Sequence, residues 1–287
     1  MKMTWKWAAC GYSFSVYQSN EDIIELCKQA KIPAIEMNSG FTNNKSDKEI
    51  EGIREIYNDA RIELYSFHLP FSNDDDIASF YETKRREAVE KLTRIMEQAS
   101  LLGNKVVILH PTAFLSPIEV EGFDRYLSQM EKSLEKLIPA AERLNLVIAL
   151  ENMPPGIFGD HFASRPEHFT LFKERFACPN LGFCLDTGHA HISLKADGPS
   201  IFFDAMKENL VAFHIQDNPG DRDLHLAPGY GLIDWGRVFK KMAEIEFSHP
   251  ACIEAPPFGY TNNCKYSADL WKTMLEDVDS LATKILT

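Results

Sequence analysis

The sequence has no apolar run near the about 18 residues that a membrane-crossing helix takes, which argues against a membrane span. The opening MKMTWKWAAC has neither a long apolar segment nor a cleavage-like site, so a cytoplasmic chain is expected. Positive charge is also scarce. Thirty Lys and Arg stand against 42 Asp and Glu, a formal net charge of −12, and Lys84-Arg85-Arg86 is the longest basic run. That balance repels nucleic acid and anionic membrane, and neither is an expected partner, although bound metal ions could still create a local positive site. The six cysteines include no C-x-x-C pair, and Cys10, Cys184 and Cys252 sit inside apolar runs, which reads as reduced core thiols and not as a disulfide frame. No linker, low-complexity segment or repeat divides the chain. One domain over residues 1–287 is expected, since α/β barrels commonly use about 250 residues for one.

With 45% hydrophobic and 25% charged residues, the composition is that of a folded protein with a substantial core. Short apolar runs at 5–10, 34–37, 62–67, 105–109, 146–150, 181–185, 210–213 and 251–253 are too brief for helices and read as strands. Between them apolar residues recur at spacings of three and four, as in Ala88, Leu92, Ile95, Met96, Ala99 and Leu102, or Leu134, Leu137, Ile138, Ala141 and Leu144. A segment over 270–285 supplies a last helix, so the strand-then-helix unit occurs eight times. The reading is an α/β (β/α)8 TIM barrel, and a doubly wound open sheet would show the same alternation. Pro154-Pro155-Gly156 and Pro256-Pro257 follow strands and read as loops leaving the rim.

The ionisable residues fall at strand ends. YSFHLPF carries His68, VVILHPT His110, VIALENMPPG Glu151, GFCLDTGHA Asp186 and His189, VAFHIQD His214, and ACIEAPP Glu254. In a parallel barrel those ends share one mouth, so residues spread from 68 to 254 would converge. Carboxylates that follow runs such as Val147-Ile148-Ala149-Leu150 are costly to bury unless paired or bound to a cation, and a divalent metal resolves the cost. Singly, such residues have plainer roles. Asp186 and Asp234 read as helix N-caps, Glu36 at the end of strand two as a structural pair, and His161, His168, His191 and His249 as surface or core histidines. The loop after His214 is dense in Asp217, Asp221, Arg222, Asp223 and His225 before Gly229 and Gly231, a set suited to a metal or an anion. Tyr12, Phe71, Phe158 and Phe258 near the rim could stack on a ring-shaped ligand, with 11% aromatics favouring a core role.

Glu151, Asp186-x-x-His189, His214, the D-x-H-L-x-P-G-x-G-x-I-D-W loop from Asp223 to Trp235, and Glu254 resemble the sugar phosphate isomerase/epimerase group of the xylose isomerase-like TIM barrels, over nearly the whole chain. The resemblance implies that Glu151, Asp186, His214 and Glu254 bind one divalent metal (manganese, magnesium or cobalt), and that His189 and Arg222 contact substrate. His68, His110, Glu151, Asp186, His189, His214, Asp223, His225 and Glu254 also match the trinuclear zinc set of endonuclease IV, a related family. His68 and His110 would line the sugar pocket in a one-metal site and bind zinc in a multi-metal one.

The expected chemistry is isomerisation or epimerisation of a sugar, sugar phosphate or keto-polyol through an enediolate, with Glu151 and Glu254 as the acid/base pair and His189, Arg222 and His68 on the substrate. The alternatives are an endonuclease IV-like multi-zinc phosphodiesterase and a dehydratase of the inosose type. A small-molecule sugar is the expected partner, and a homo-oligomer is allowed.

Overall fold

Every one of the short apolar runs becomes a strand, and the strands close on themselves. The structure is a computed structural model that describes residues 5–15, 17, 19–113, 116–257 and 265–286. In chain order the elements are β1 (Trp7–Cys10), α1 (Asn20–Ala30), β2 (Ala34–Asn38), α2 (Asp47–Asp59), β3 (Ser66–His68), α3 (Glu82–Leu102), β4 (Val106–Leu109), α4 (Ile118–Glu121), α5 (Phe123–Arg143), β5 (Val147–Glu151), α6 (Pro166–Arg175), β6 (Leu181–Asp186), α7 (Thr187–Leu194), α8 (Gly198–Met206), β7 (Leu210–Ile215), α9 (Trp235–Glu244), β8 (Ala251–Ile253) and α10 (Ala268–Leu286). The sheet is a closed barrel in sequential order, and β8 pairs in parallel with β1 to complete it. The open-sheet alternative is thereby excluded. No helix among the described residues is long and apolar enough to cross a membrane.

Because side chains alternate across a strand, each strand serves two cores. Trp7, Ile35, Phe67, Val107, Ile148, Phe183, Phe213 and Ile253 face outward into the large core beneath the helices. The intervening positions, Ala8, Ala34, Val106, Ile108, Ala149, Cys184, Ala212 and Cys252, fill the barrel interior with smaller side chains. Five cysteines are free thiols, of which Cys178 is half-exposed and not core; Cys264 lies outside the described residues.

Two expectations need correction. The third strand begins at Ser66 and not at residue 62. Glu63 makes only an isolated bridge to Ala34, and the Asn104 side-chain amide donates to the carbonyls of Leu64 and Ser66 at 3.0 and 2.9 Å, groups that a regular ladder would have used. The connections are also richer than one helix each. β4 is followed by α4 and α5, and β6 by α7 and α8.

Candidate metal centre

At the C-terminal ends of β2 to β8 the inward register continues for one more residue, and the residue type changes. Glu36, His68, His110, Glu151, Asp186, His214 and Glu254 stand two positions beyond Ala34, Ser66, Ile108, Ala149, Cys184, Ala212 and Cys252. The same alternation that fills the barrel therefore aims seven ionisable side chains at its mouth. All but His110 are classed as buried, and His110 exposes 12% of its side chain.

Glu151, Asp186, His214 and Glu254 each offer one ligand atom within 4.8 Å of the others; His68, Glu151 and His214 form a second such group, and His189, Asp223 and His225 a third. Glu151 joins the first two. Its Oε2 lies 3.3 Å from His110 Nε2 and 3.6 Å from His68 Nε2, and its Oε1 lies 3.1 Å from His214 Nδ1. Asp223 Oδ2 sits 3.2 Å from both His189 Nε2 and His225 Nε2.

The outer nitrogens explain which way the rings present their lone pairs. His214 Nε2 donates to Glu36 at 3.1 Å, and carbonyls fix the rest: His68 Nδ1 donates to Leu69 O at 2.7 Å, His189 Nδ1 to Asn152 O at 2.8 Å, and His225 Nδ1 to Glu254 O at 2.8 Å. A carbonyl can only accept, so the N–H must be on that side and the opposite nitrogen turns to the centre. Outer-shell partners of this kind commonly orient metal-binding imidazoles.

The fit to a cation follows. His214 Nδ1 lies 3.1 Å from Glu151 Oε1 and 3.2 Å from Glu254 Oε2, yet neither contact has hydrogen-bond geometry. His214 Nδ1, Glu151 Oε2 and Glu254 Oε2 are buried polar atoms with no hydrogen-bond partner. A ring nitrogen held against two carboxylates calls for positive charge between them, a proton or a cation, and the donor set of imidazole and carboxylate suits a divalent ion. Proton affinities report the same demand. Burial disfavours charge on His214, yet the surrounding acids, Glu254, Glu151 and Glu36 among them, lift it well above the usual range. Burial likewise opposes ionisation of Glu254, but His214 and His225 bring it down to about 2. Burial lifts the Asp186 carboxyl to about 8 despite His189, and His110 is lowered by burial, which leaves it a neutral ligand-type ring. Cys10, Glu36 and Cys252 also cluster, but burial holds the Cys252 thiol well above its usual value and therefore protonated.

Asp186 has two roles. Its Oδ1 caps α7 by accepting from His189 N at 2.6 Å, as the N-cap reading expects, while its carboxylate also belongs to the ligand group. Asp234 caps α9 through Arg237 N. Glu36 is the structural pair that its strand-end position suggests, held by Ser66 Oγ at 2.8 Å and holding His214. Two supporting residues were not singled out from the sequence. Gln216 Nε2 donates to Asp223 Oδ1 at 2.8 Å and reaches Asp186 at 3.3 Å, and Asn152 clasps the backbone of Asp186 on both sides. The signal for Gln216 was its inward register, two residues past His214.

Arg222 is not brought to the centre. Its side chain is 69% exposed and faces Asp221 at 3.4 Å. The rim aromatics depart from the core role: Phe71 is 46% exposed and stacks on His110 at 4.6 Å between ring centroids, and Phe158 is 90% exposed. Tyr12 sets its edge against His68 at 5.6 Å. Phe258 lies outside the described residues. Of the remaining histidines, His161, His168 and His191 are buried and His249 is exposed.

Known proteins resemble this chain over most of its length. The chain is 29% identical over 218 residues to the uncharacterized protein MJ1311 of Methanocaldococcus jannaschii, covering 74% of this chain and 71% of that one. It is 26% identical over 214 residues to a probable endonuclease 4 of Aster yellows witches'-broom phytoplasma, covering 69% and 70%. A crystal structure of a D-tagatose 3-epimerase-like protein superposes with a TM-score of 0.78 at 24% identity, covering 98% of this chain and all of that one. The model of the xylose isomerase-like TIM barrel family matches residues 24–278, and the chain belongs to that family.

Proposed function

We propose that the protein is a metal-dependent isomerase or epimerase of a sugar, sugar phosphate or keto-polyol, working through an enediolate. The observation that carries the reading is His214 Nδ1 held between Glu151 and Glu254 with no hydrogen bond to either. Glu151, Asp186, His214 and Glu254 would hold the ion, with manganese, magnesium or cobalt as the candidates. A divalent ion there supplies Lewis-acid polarisation of a carbonyl and a neighbouring hydroxyl.

The chain's own residues do the rest. Glu151 and Glu254 come from β5 and β8, three strands apart around the barrel, and with their proton affinities lowered they stand as carboxylates, the form that accepts a proton from carbon. One removes the proton beside the carbonyl as the carboxylate; the other, having first taken a proton from solvent, delivers it on the opposite face, and the first then gives its proton back to solvent. His68, braced by Leu69, presents its other ring nitrogen to a substrate oxygen, and His189, braced by Asn152, does so with Nε2 when substrate takes the place of Asp223. The fixed imidazoles cost little reorganisation as charge develops on the enediolate. A dehydratase would use the same proton removal followed by loss of a hydroxyl.

Exchange of a ketose's carbon-bound hydrogen for deuterium, followed by NMR, tests the reading. Glu151→Gln and Glu254→Gln are each expected to lower exchange by about 10²- to 10⁴-fold. Undiminished exchange in both variants, or no exchange across ketoses and inososes, would end it.

The second reading, a multi-zinc phosphodiesterase, is favoured by the His189–Asp223–His225 group beside the other two. A chain of net charge −12 offers a duplex little cationic surface, which ranks this second. Two or three zinc ions per chain together with cleavage of an abasic duplex would reverse the order.

A further inference from the structure

A cavity of about 490 Å³ opens on the same face of the barrel, between the loops that follow β1, β2 and β3. Gly11 and Tyr12 come from the first loop, Asn38 from the end of β2, Ser39, Asn43 and Lys45 from the second loop, and Pro70 from the third. The cavity adjoins the ligand cluster through one ring, because Tyr12 lines it and also packs its edge on His68 at 5.6 Å. Its size is that of a small-molecule site.

Its chemistry is the reverse of the cluster's. None of the described residues that line it is an Asp or a Glu, although the chain as a whole carries net charge −12. Lys45 is half-buried in its wall, and among the described residues no carboxylate approaches within ion-pair distance of the ammonium. Glu49, the acid whose carboxylate feels Lys45, is engaged by the backbone N–H and hydroxyl of Ser46 at 2.8 and 2.6 Å. The two loops are locked together at this point: a Cβ on Gly11 would meet the Glu36 carbonyl oxygen at 2.4 Å, so the β1 loop lies directly on the end of β2.

We infer that this chamber receives the end of the substrate remote from the carbonyl, and that this end carries an oxyanion, a phosphate ester or a carboxylate, held by Lys45. The carbonyl end would lie against the ligand cluster and the anionic end beyond Tyr12, so a carboxylate-rich cluster and a carboxylate-free chamber divide one molecule between them. The ammonium of Lys45 draws the oxyanion to the chamber, which fixes the direction of binding. The inference rests on the sugar reading, but binding tests it independently of turnover.

The test is calorimetry on the purified full chain with three probes of matched carbon skeleton: a ketose phosphate, a ketose uronate and the free ketose. Wild-type protein is expected to bind at least one oxyanion-bearing sugar roughly 10- to 100-fold tighter than the free ketose, by a margin that shrinks with added salt. Comparison of the phosphate and uronate arms identifies the group. Lys45→Met is expected to bring the preferred ligand to parity with the free ketose and to leave the free ketose's affinity within about twofold. Equal binding of all three by wild type, no binding of any, or a preference that survives Lys45→Met would overturn the inference. A Lys45-dependent preference without deuterium exchange at carbon would uphold the chamber and refute the epimerase reading instead.

Discussion

His214 shows how much of the centre depends on a single ring. Its Nδ1 can face two carboxylates only because its Nε2 is tied to Glu36, and Glu36 in turn is steadied by Ser66. Glu36→Gln removes the charge that fixes the tautomer and is expected to weaken divalent-ion affinity by about 10- to 100-fold, read by competition against a chromogenic chelator. An unchanged affinity would mean that the ring is held by packing alone. At this scale the sequence was legible wherever an ionisable residue continued an inward register, as in VIALE or ACIE. It was illegible where direction mattered and no periodicity constrains it. Arg222 stands in a loop, where residue type says nothing about orientation, and it turns to solvent beside Asp221. Gln216 carries no charge to draw attention, although it links Asp186 and Asp223.

The loop between β7 and α9 is an element in its own right, built on Asp217. That carboxylate, fully buried, accepts from Asn218 N at 2.8 Å, Gly229 N at 3.0 Å, Ile233 N at 3.1 Å and Trp235 Nε1 at 2.8 Å. The sequence offered Asp217 as one of a cluster of potential ligands, and the structure uses it as the post around which the loop is wound. Asp217→Ala strips an acceptor from four donors and is expected to cost at least about 3 kcal/mol of stability in denaturant unfolding. A loss of less than about 1 kcal/mol would show that water replaces it. Close approach matters here too, since a Cβ on Gly188 would strike the Gln216 amide at 2.1 Å. A second prediction belongs to α6. His168 lies between Phe123 and Phe162, where burial, aided by Arg165, lowers its affinity for a proton to about 4. The unfolded chain takes up that proton near pH 6.5 and the folded chain does not, so stability present above about 6.5 declines as pH falls toward 4, by on the order of 3 kcal/mol. His168→Phe should flatten that part of the stability profile in thermal melts recorded from pH 7 to 4.5, and an unaltered slope would assign the acid sensitivity to other groups. The β3 start was misread at this scale because Ile62, Leu64 and Tyr65 are apolar enough for a strand, while the Asn104 side chain that interrupts the ladder is remote in sequence.

For the molecule as a whole, the closed barrel was legible because eight short apolar runs alternate with helical spacing, and only one closed parallel arrangement brings their ends together. The second helices after β4 and β6 were not, since they interrupt no strand and change no register. Bringing Glu151, Asp186, His214 and Glu254 into one buried group concentrates charge that folding alone must hold apart, and an ion bound only by the folded state would offset it. Saturation at 100-fold above the dissociation constant is expected to stabilise the fold by about 2.7 kcal/mol, and chelator to lower the melting temperature accordingly. If chelator and added manganese, magnesium, cobalt or zinc all leave the melting curve in place, the group is not an ion site.

The two-residue stagger along each strand leaves the mouth little tolerance for shifts in length. A single residue inserted within β5 would turn Glu151 out among the helices and bring an aliphatic neighbour to the mouth, and the same holds for β6, β7 and β8. Residues added in the loops beyond those strands shift nothing beneath them. Diversity in what the protein recognises is therefore free to accumulate above the rim, while the staves of the cask must keep their count.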